Sequence, residues 1–263
     1  MAEHKLTLTL DNVSKSFARV DKNDITNALE NIDLTMHDGE FISVVGTSGC
    51  GKSTMLRLIA GLITPTTGTL TVNGTEIDGP DPDRGMVFQQ PTLFPWLTVE
   101  KNISFSFRMR HQLEGHEDEV RRILDVIGLT AFKDDYPAQL SGGMAQRVAL
   151  ARSLICQPEI LLLDEPLGAL DAFTRMNMQD EILRIRAEQN MTMIMVTHDV
   201  DEAIYLSDKI VVMTPRPGKI ISVIDVDLSH PRARGEEDFL LYHTKILKLL
   251  NYTISKPEPD YYL

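Results

Sequence analysis

The sequence runs to 263 residues, 43% of them hydrophobic, with a formal net charge of −12. That length suits one large α/β domain or two small ones, and the apolar content excludes wholesale disorder. The acidity argues against broad electrostatic adhesion to nucleic acid or anionic lipid.

In chain order, Met1, Ala2, Glu3, His4 and Lys5 carry no apolar signal core. Leu6, Leu8 and Leu10 then alternate with Thr7 and Thr9, the period of a half-exposed strand. Phe41, Ile42, Ser43, Val44 and Val45 form a short apolar run stopped by Gly46, as a buried strand of a central sheet does. Residues 68–72 followed by Asn73 and Gly74 read as a strand entering a tight turn, so the first 80 or so residues look rich in antiparallel strands. Between Val99 and Gly128 the pattern turns helical: Val120, Ile123, Leu124 and Ile127 share one face, and Gly128 is the stop. After Ser141 a helix over 147–155, a strand over 159–163, a helix over 171–188 and a strand over 191–196 alternate, which implies a parallel sheet. The tail after Lys256, with Pro257 and Pro259, is expected to be loose. Runs such as Ile160, Leu161, Leu162 and Leu163 fall far short of the roughly 18 residues needed to span a bilayer, so any membrane role is peripheral, through a partner. Cys50 and Cys156 make neither a metal-like cluster nor a disulfide framework, which points to a reduced, cytosolic protein.

Gly46, Thr47, Ser48, Gly49, Cys50, Gly51, Lys52 and Ser53 fit the phosphate-loop pattern directly after an apolar strand. Glycines let backbone N–H groups converge on phosphate, and the following helix turns its positive N-terminal end toward them. Lys52 can then reach the β and γ phosphates, the Ser53 hydroxyl can ligate Mg²⁺, and Thr54 falls near the α phosphate. Ser141, Gly142 and Gly143, followed by Met144, Ala145 and Gln146, open a helix and make a second anion cradle. By themselves they also suit an ordinary helix cap. One nucleotide does not need two such cradles from one chain.

The run from Leu140 through Arg147 resembles the signature sequence of ABC ATPases, with Ala145 where that family tolerates variation. The resemblance implies a nucleotide sandwich, in which the signature of one copy covers the γ phosphate held by a second copy. It also sharpens the other motifs. Ile160 to Leu163 lead into Asp164, which suits Mg²⁺ held through water, and Glu165, placed to polarise the attacking water. Asp171, after Gly168, Ala169 and Leu170, resembles the family's interface loop and is also a natural helix cap. His198 after the strand ending at Val196 resembles the switch histidine at the γ phosphate, and Gln89 resembles the glutamine that senses Mg²⁺ and water. Phe17 resembles the aromatic that stacks on adenine; alternatively it packs in the core.

The implied fold is α/β: a P-loop nucleotide hydrolase core with an N-terminal antiparallel β subdomain (about residues 1–89 and 159–230), an inserted α-helical subdomain (about 90–158), and a C-terminal helix and tail (231–263). The implied activity is ATP hydrolysis with ATP and Mg²⁺, coupled to transport. A cassette ATPase of another transporter type is one alternative and a cassette working on nucleic acid another; a single cassette, the lack of a coiled-coil or zinc insertion and the acidity oppose the latter.

Leu93, Phe94, Trp96 and Leu97 lie in a proline-containing stretch, residues 91–99, that cannot form an amphipathic helix. Such a run either lines a groove for a partner's short helix or packs inside the helical insertion; the family resemblance makes it the place where a permease subunit docks, with a solute-binding protein reached indirectly. Gln90 to Trp96, Pro166 to Arg175, Pro215-Arg216-Pro217-Gly218 and His230-Pro231-Arg232 narrow the resemblance to import ATPases for nitrate, sulfonates and taurine, peripheral on the cytoplasmic face of the membrane.

Overall fold

The computed structural model describes residues 6–19, 24–110 and 114–254; the N-terminal pentapeptide and the tail after Lys256 lie outside them. The chain divides into two compact units, Met1–Pro80 with Ile194–Leu263, and Asp81–Met193. The second unit is thus wider than the helical insertion expected over 90–158.

The first unit opens with β1 (Leu6–Arg19) and β2 (Asp24–His37), paired antiparallel. Leu8 and Leu10 face Met36 and Leu34 across the ladder, and all four are buried. The half-exposed alternation read from the sequence does not hold: Thr7 is as buried as Leu8, and register shifts fall at Leu6/Leu8, Leu10/Val13, Val13/Lys15 and Lys15/Ser16. The wholly buried β3 (Phe41–Gly46) runs into the phosphate loop and α1 (Lys52–Ile59). Met55, Leu56, Leu58 and Ile59 bury one face of that helix. β4 (Thr67–Val72) and β5 (Thr75–Glu76) complete a four-stranded antiparallel sheet in the order β2-β1-β4-β5.

In the second unit β6 (Arg84–Val87) lies parallel to β7 (Ile160–Asp164), with Val87 opposite Leu163. Between them the helical stretch is broken into α2 (Val99–Ile103), α3 (Phe105–Met109) and α4 (Glu117–Val126) before α5 (Gly142–Leu154). Val120, Ile123 and Leu124 form the buried face of α4, and Gly128 stops it at φ 65°. α6 (Ala172–Gln189) ends at Asn190, in the left-handed region that a short amide side chain tolerates.

β8 (Thr192–Thr197), wholly buried, carries the chain back into the first unit. There α7 (Val200–Leu206), β9 (Lys209–Met213), β10 (Ile220–Asp225) and α8 (Glu237–Ile254) follow. The strand order is β10-β9-β3-β8, with β9 parallel to β3 and β10 antiparallel at the edge. Arg232 is buried and donates to the carbonyls of Ile204, Ser207, Val226 and Leu228, fastening the chain after β10 to the end of α7. Among the described residues no helix is long and apolar enough to cross a membrane.

Candidate functional site

In the first unit the phosphate loop hangs between β3 and α1. Gly51 caps α1 at φ 106°, a conformation that strains any residue with a Cβ. A Cβ there would also lie 2.7 Å from the Ala28 carbonyl oxygen. The Lys52 ammonium donates to the Gly46 carbonyl at 2.8 Å and the Thr47 carbonyl at 3.2 Å, so it is held inside the loop. Cys50 is buried beneath the loop, and burial pushes its thiol above the ordinary value against the pull of Lys52. The first turn of α1 holds no acidic residue, so the helix dipole is uncompensated where an anion would sit.

Phe17 lies on β1 opposite Thr26 and is 41% exposed, with the Lys15 ammonium 5.1 Å from its ring centroid. The core-packing alternative is therefore wrong for this ring. His198 follows the buried end of β8 and is exposed, while its neighbour Asp199 caps α7 by accepting from the Glu202 N–H at 3.1 Å.

In the second unit the buried strand β7 ends at Asp164, 3% exposed. The next residue, Glu165, has φ 47°, uncommon for a side chain of its kind and typical of backbone strain held at functional sites. Gln89, two residues past β6, donates from Nε2 to Glu165 Oε2 at 2.9 Å. Two segments far apart in sequence thus meet at Glu165.

Ser141 caps α5, its hydroxyl accepting from the Met144 N–H at 3.2 Å. The helix starts at Gly142, as Ser141 and the two glycines opening a helix implied, and so runs ahead of the 147–155 span. Gly142 and Gly143 occupy its first turn, which again holds no acid. Gln146 is 1% exposed and donates to the Phe88 carbonyl at 3.3 Å, so it sits behind the helix start, supporting the segment that carries Gln89. Asp171 caps α6: the Thr174 hydroxyl and N–H hold its carboxyl below the usual range.

Of the aromatic stretch, Thr92 and Phe94 line a groove of about 500 Å³ whose other walls include Arg84, Met86, Phe105, Arg152 and Cys156. Phe94 stacks with Phe105 at 4.3 Å between centroids and with Trp96 at 5.7 Å, and the Arg152 guanidinium lies 5.3 Å from the Phe94 ring. Trp96 is 69% exposed, while Leu93 and Leu97 are half-buried.

Sequence reasoning missed the residue that shapes this stretch. Asn102, fully buried on α2, donates to the carbonyls of Phe94, Leu97 and Thr98 at 3.2, 3.0 and 3.0 Å and accepts from the Phe94 N–H at 2.8 Å. An asparagine at an otherwise apolar helix position was the available signal.

The ABC transporter family profile matches residues 29–168. This chain belongs to that family. An uncharacterised ABC transporter ATP-binding protein of Methanocaldococcus jannaschii is 47% identical over 253 residues, 96% of this chain and 94% of that protein. An aliphatic sulfonates import ATP-binding protein of Bacillus cereus is 44% identical over 247 residues, 94% of this chain and 97% of that one. A bicarbonate transport ATP-binding protein of Synechococcus elongatus is 49% identical over 233 residues, 87% of this chain but 35% of that longer protein. Among solved structures, a dimeric ATP-binding cassette in a post-hydrolysis state, bound to ADP and Pi, matches with a TM-score of 0.76 at 31% identity, covering 84% of this chain and all of that one.

Proposed function

We propose that this chain is the ATP-binding and ATP-hydrolysing subunit of an ABC importer, working as two copies beneath a separate permease. One observation carries the reading: the chain owns two anion-seeking helix starts, Lys52 on α1 and Ser141 on α5, neither with an acid in its first turn. In the two-copy arrangement each ATP is held by Lys52 and Ser53 of one copy and by Ser141 and Gly143 of the other. The dimeric cassette structure supports that arrangement.

Phe17 is open to solvent and suited to stacking on adenine. Glu165 accepts a proton from the attacking water while Gln89 orients it, and His198 donates toward the γ phosphate. Asp171 adds an interface contact. Catalysis is mostly positioning and charge stabilisation. In the first unit Ser53 offers a hydroxyl, and in the second Gln89 and Asp164 offer an amide oxygen and a carboxylate; each is a hard oxygen of the kind that would hold Mg²⁺ together with phosphate. Bound there, Mg²⁺ supplies neutralisation of phosphate charge.

The groove beside Phe94 receives a segment of the permease, whose movement follows closure of the two copies. Relatives named for sulfonate and bicarbonate transport support a small solute such as nitrate, a sulfonate or taurine, delivered by a solute-binding protein. The chain then sits peripherally on the cytoplasmic face of the membrane, with no nucleic-acid partner.

The test is co-purification with the permease, followed by ATP hydrolysis in proteoliposomes with loaded binding protein and each candidate anion in turn. One anion should raise the rate severalfold. Hydrolysis that is indifferent to permease and solute would remove the importer reading and leave only an ATPase.

A further inference from the structure

The motif Pro215-Arg216-Pro217-Gly218 has no part in the chemistry above, yet it lies against the phosphate loop. Arg216 donates from Nε to the Gly49 carbonyl at 3.2 Å, although 167 residues separate them. Two residues on, Gly218 is buried so close to the loop that a Cβ would stand 2.0 Å from the Cys50 carbonyl oxygen. The turn therefore hydrogen-bonds the Gly49 carbonyl and packs closely against the Cys50 carbonyl.

The turn is itself anchored. Gly218 donates its N–H to the Ala28 carbonyl and accepts from the Glu30 N–H, both at 3.0 Å, adding a bridge onto β2 at Leu29. Thr214 closes it: its hydroxyl donates to the Pro217 carbonyl at 3.0 Å and accepts from the Lys219 N–H at 2.9 Å. Lys219 reaches Glu30 at 2.8 Å. The same stretch of β2 packs against Gly51, whose missing side chain leaves room for Ala28 and Leu29. Three segments, 28–30, 49–51 and 216–218, are thus interlocked.

A trans peptide plane fixes its carbonyl and its N–H in opposite directions. Holding the Gly49 carbonyl fixes the plane it shares with the Cys50 N–H, which donates to the Thr47 carbonyl at 3.3 Å and closes the turn of the loop. Gly49 and Gly51, at φ 75° and 106°, are the loop residues with most freedom to turn these planes over. A nest that binds phosphate works by having its N–H groups already oriented.

We propose that Arg216 is a positioning residue for the phosphate loop: with Gly218 it clamps the Gly49 and Cys50 peptides in the orientation that receives phosphate. This rests on the nucleotide reading above. It acts through a hydrogen bond at Nε, not through the charge of the guanidinium.

That distinction is testable, because glutamine carries an N–H donor at the same place along the side chain as arginine Nε, without the charge. Titration calorimetry of the full chain with MgADP, which does not turn over, reads the affinity. Arg216→Ala should weaken binding about tenfold, the worth of one hydrogen bond. Arg216→Gln should stay within about threefold of the unaltered chain. Arg216 is exposed, so both variants should melt like the unaltered chain without nucleotide. Equal affinity for Arg216→Ala and the unaltered chain would overturn the clamp while leaving nucleotide binding intact. Glutamine as weak as alanine would overturn it in favour of a charge effect. Failure of the unaltered chain to bind MgADP would overturn the nucleotide reading and the clamp together.

Discussion

The side-chain amide of Gln89 donates to the carboxylate of Glu165 across 2.9 Å, joining the loop after β6 to the end of β7. The bond fixes Oε2 of the carboxylate against the Gln89 amide. Gln89→Ala should lower kcat for ATP hydrolysis about tenfold with KM changed little, the pattern of an interaction used in the transition state and not in binding. Steady-state phosphate release checks this; an unchanged kcat would mean that the amide does not orient the carboxylate.

Glu165 holds its place at the cost of a left-handed backbone at φ 47°. Glycine accepts that conformation without a Cβ clash, and alanine does not. Thermal or urea unfolding should therefore find Glu165→Gly more stable than Glu165→Ala by about 1 kcal/mol, although both lose turnover. The reverse order would show that the backbone is not strained at this residue.

Asp171 caps α6, and its carboxyl is held below the ordinary value of 3.8 by Thr174. A depressed value in the folded state means that the stabilisation is complete above the ordinary carboxylate value and is lost as pH falls through the lower, folded one. Asp171→Ala should melt below the unaltered chain at pH 7. The gap should narrow below about pH 4 as the carboxyl takes up its proton. A gap independent of pH would assign the capping to something other than the charged carboxylate.

Asn102 is the buried anchor of the groove-forming stretch. Removing its amide takes a side-chain donor from the Leu97 carbonyl, leaves the Phe94 and Thr98 carbonyls only their backbone donors, and strips the Phe94 N–H of its acceptor. Asn102→Ala should cost about 2–4 kcal/mol in urea unfolding. It should also weaken permease association while MgADP affinity stays within about twofold. Undiminished association in a pull-down with the permease would detach the groove from the role given to it.

The parts of the fold most open to sequence reading were those with strong local signals. The apolar run of β3 closed by Gly46 fixes the phosphate loop, and the run of β7 ending in acids fixes Asp164 and Glu165. What stayed hidden depends on partners distant in sequence or on irregular backbone. Register shifts between Leu10 and Ser16 break the alternation that would have told whether Phe17 faces the core. α5 was legible at its start from Ser141 and the glycines after it, while the 147–155 pattern marks only its later part. The Gln89–Glu165 and Arg216–Gly49 bonds span 76 and 167 residues, and no periodicity encodes such pairs.

The central claim, that Glu165 drives ATP hydrolysis in a two-copy sandwich, is met most directly by Glu165→Gln followed in the analytical ultracentrifuge with and without MgATP, alongside phosphate release. The substitution keeps size and removes the base. The account predicts at least about a 100-fold loss of turnover and a chain that sediments as a dimer with MgATP and as a monomer without it. Phosphate release at the unaltered rate, or a monomer under saturating MgATP, would contradict it.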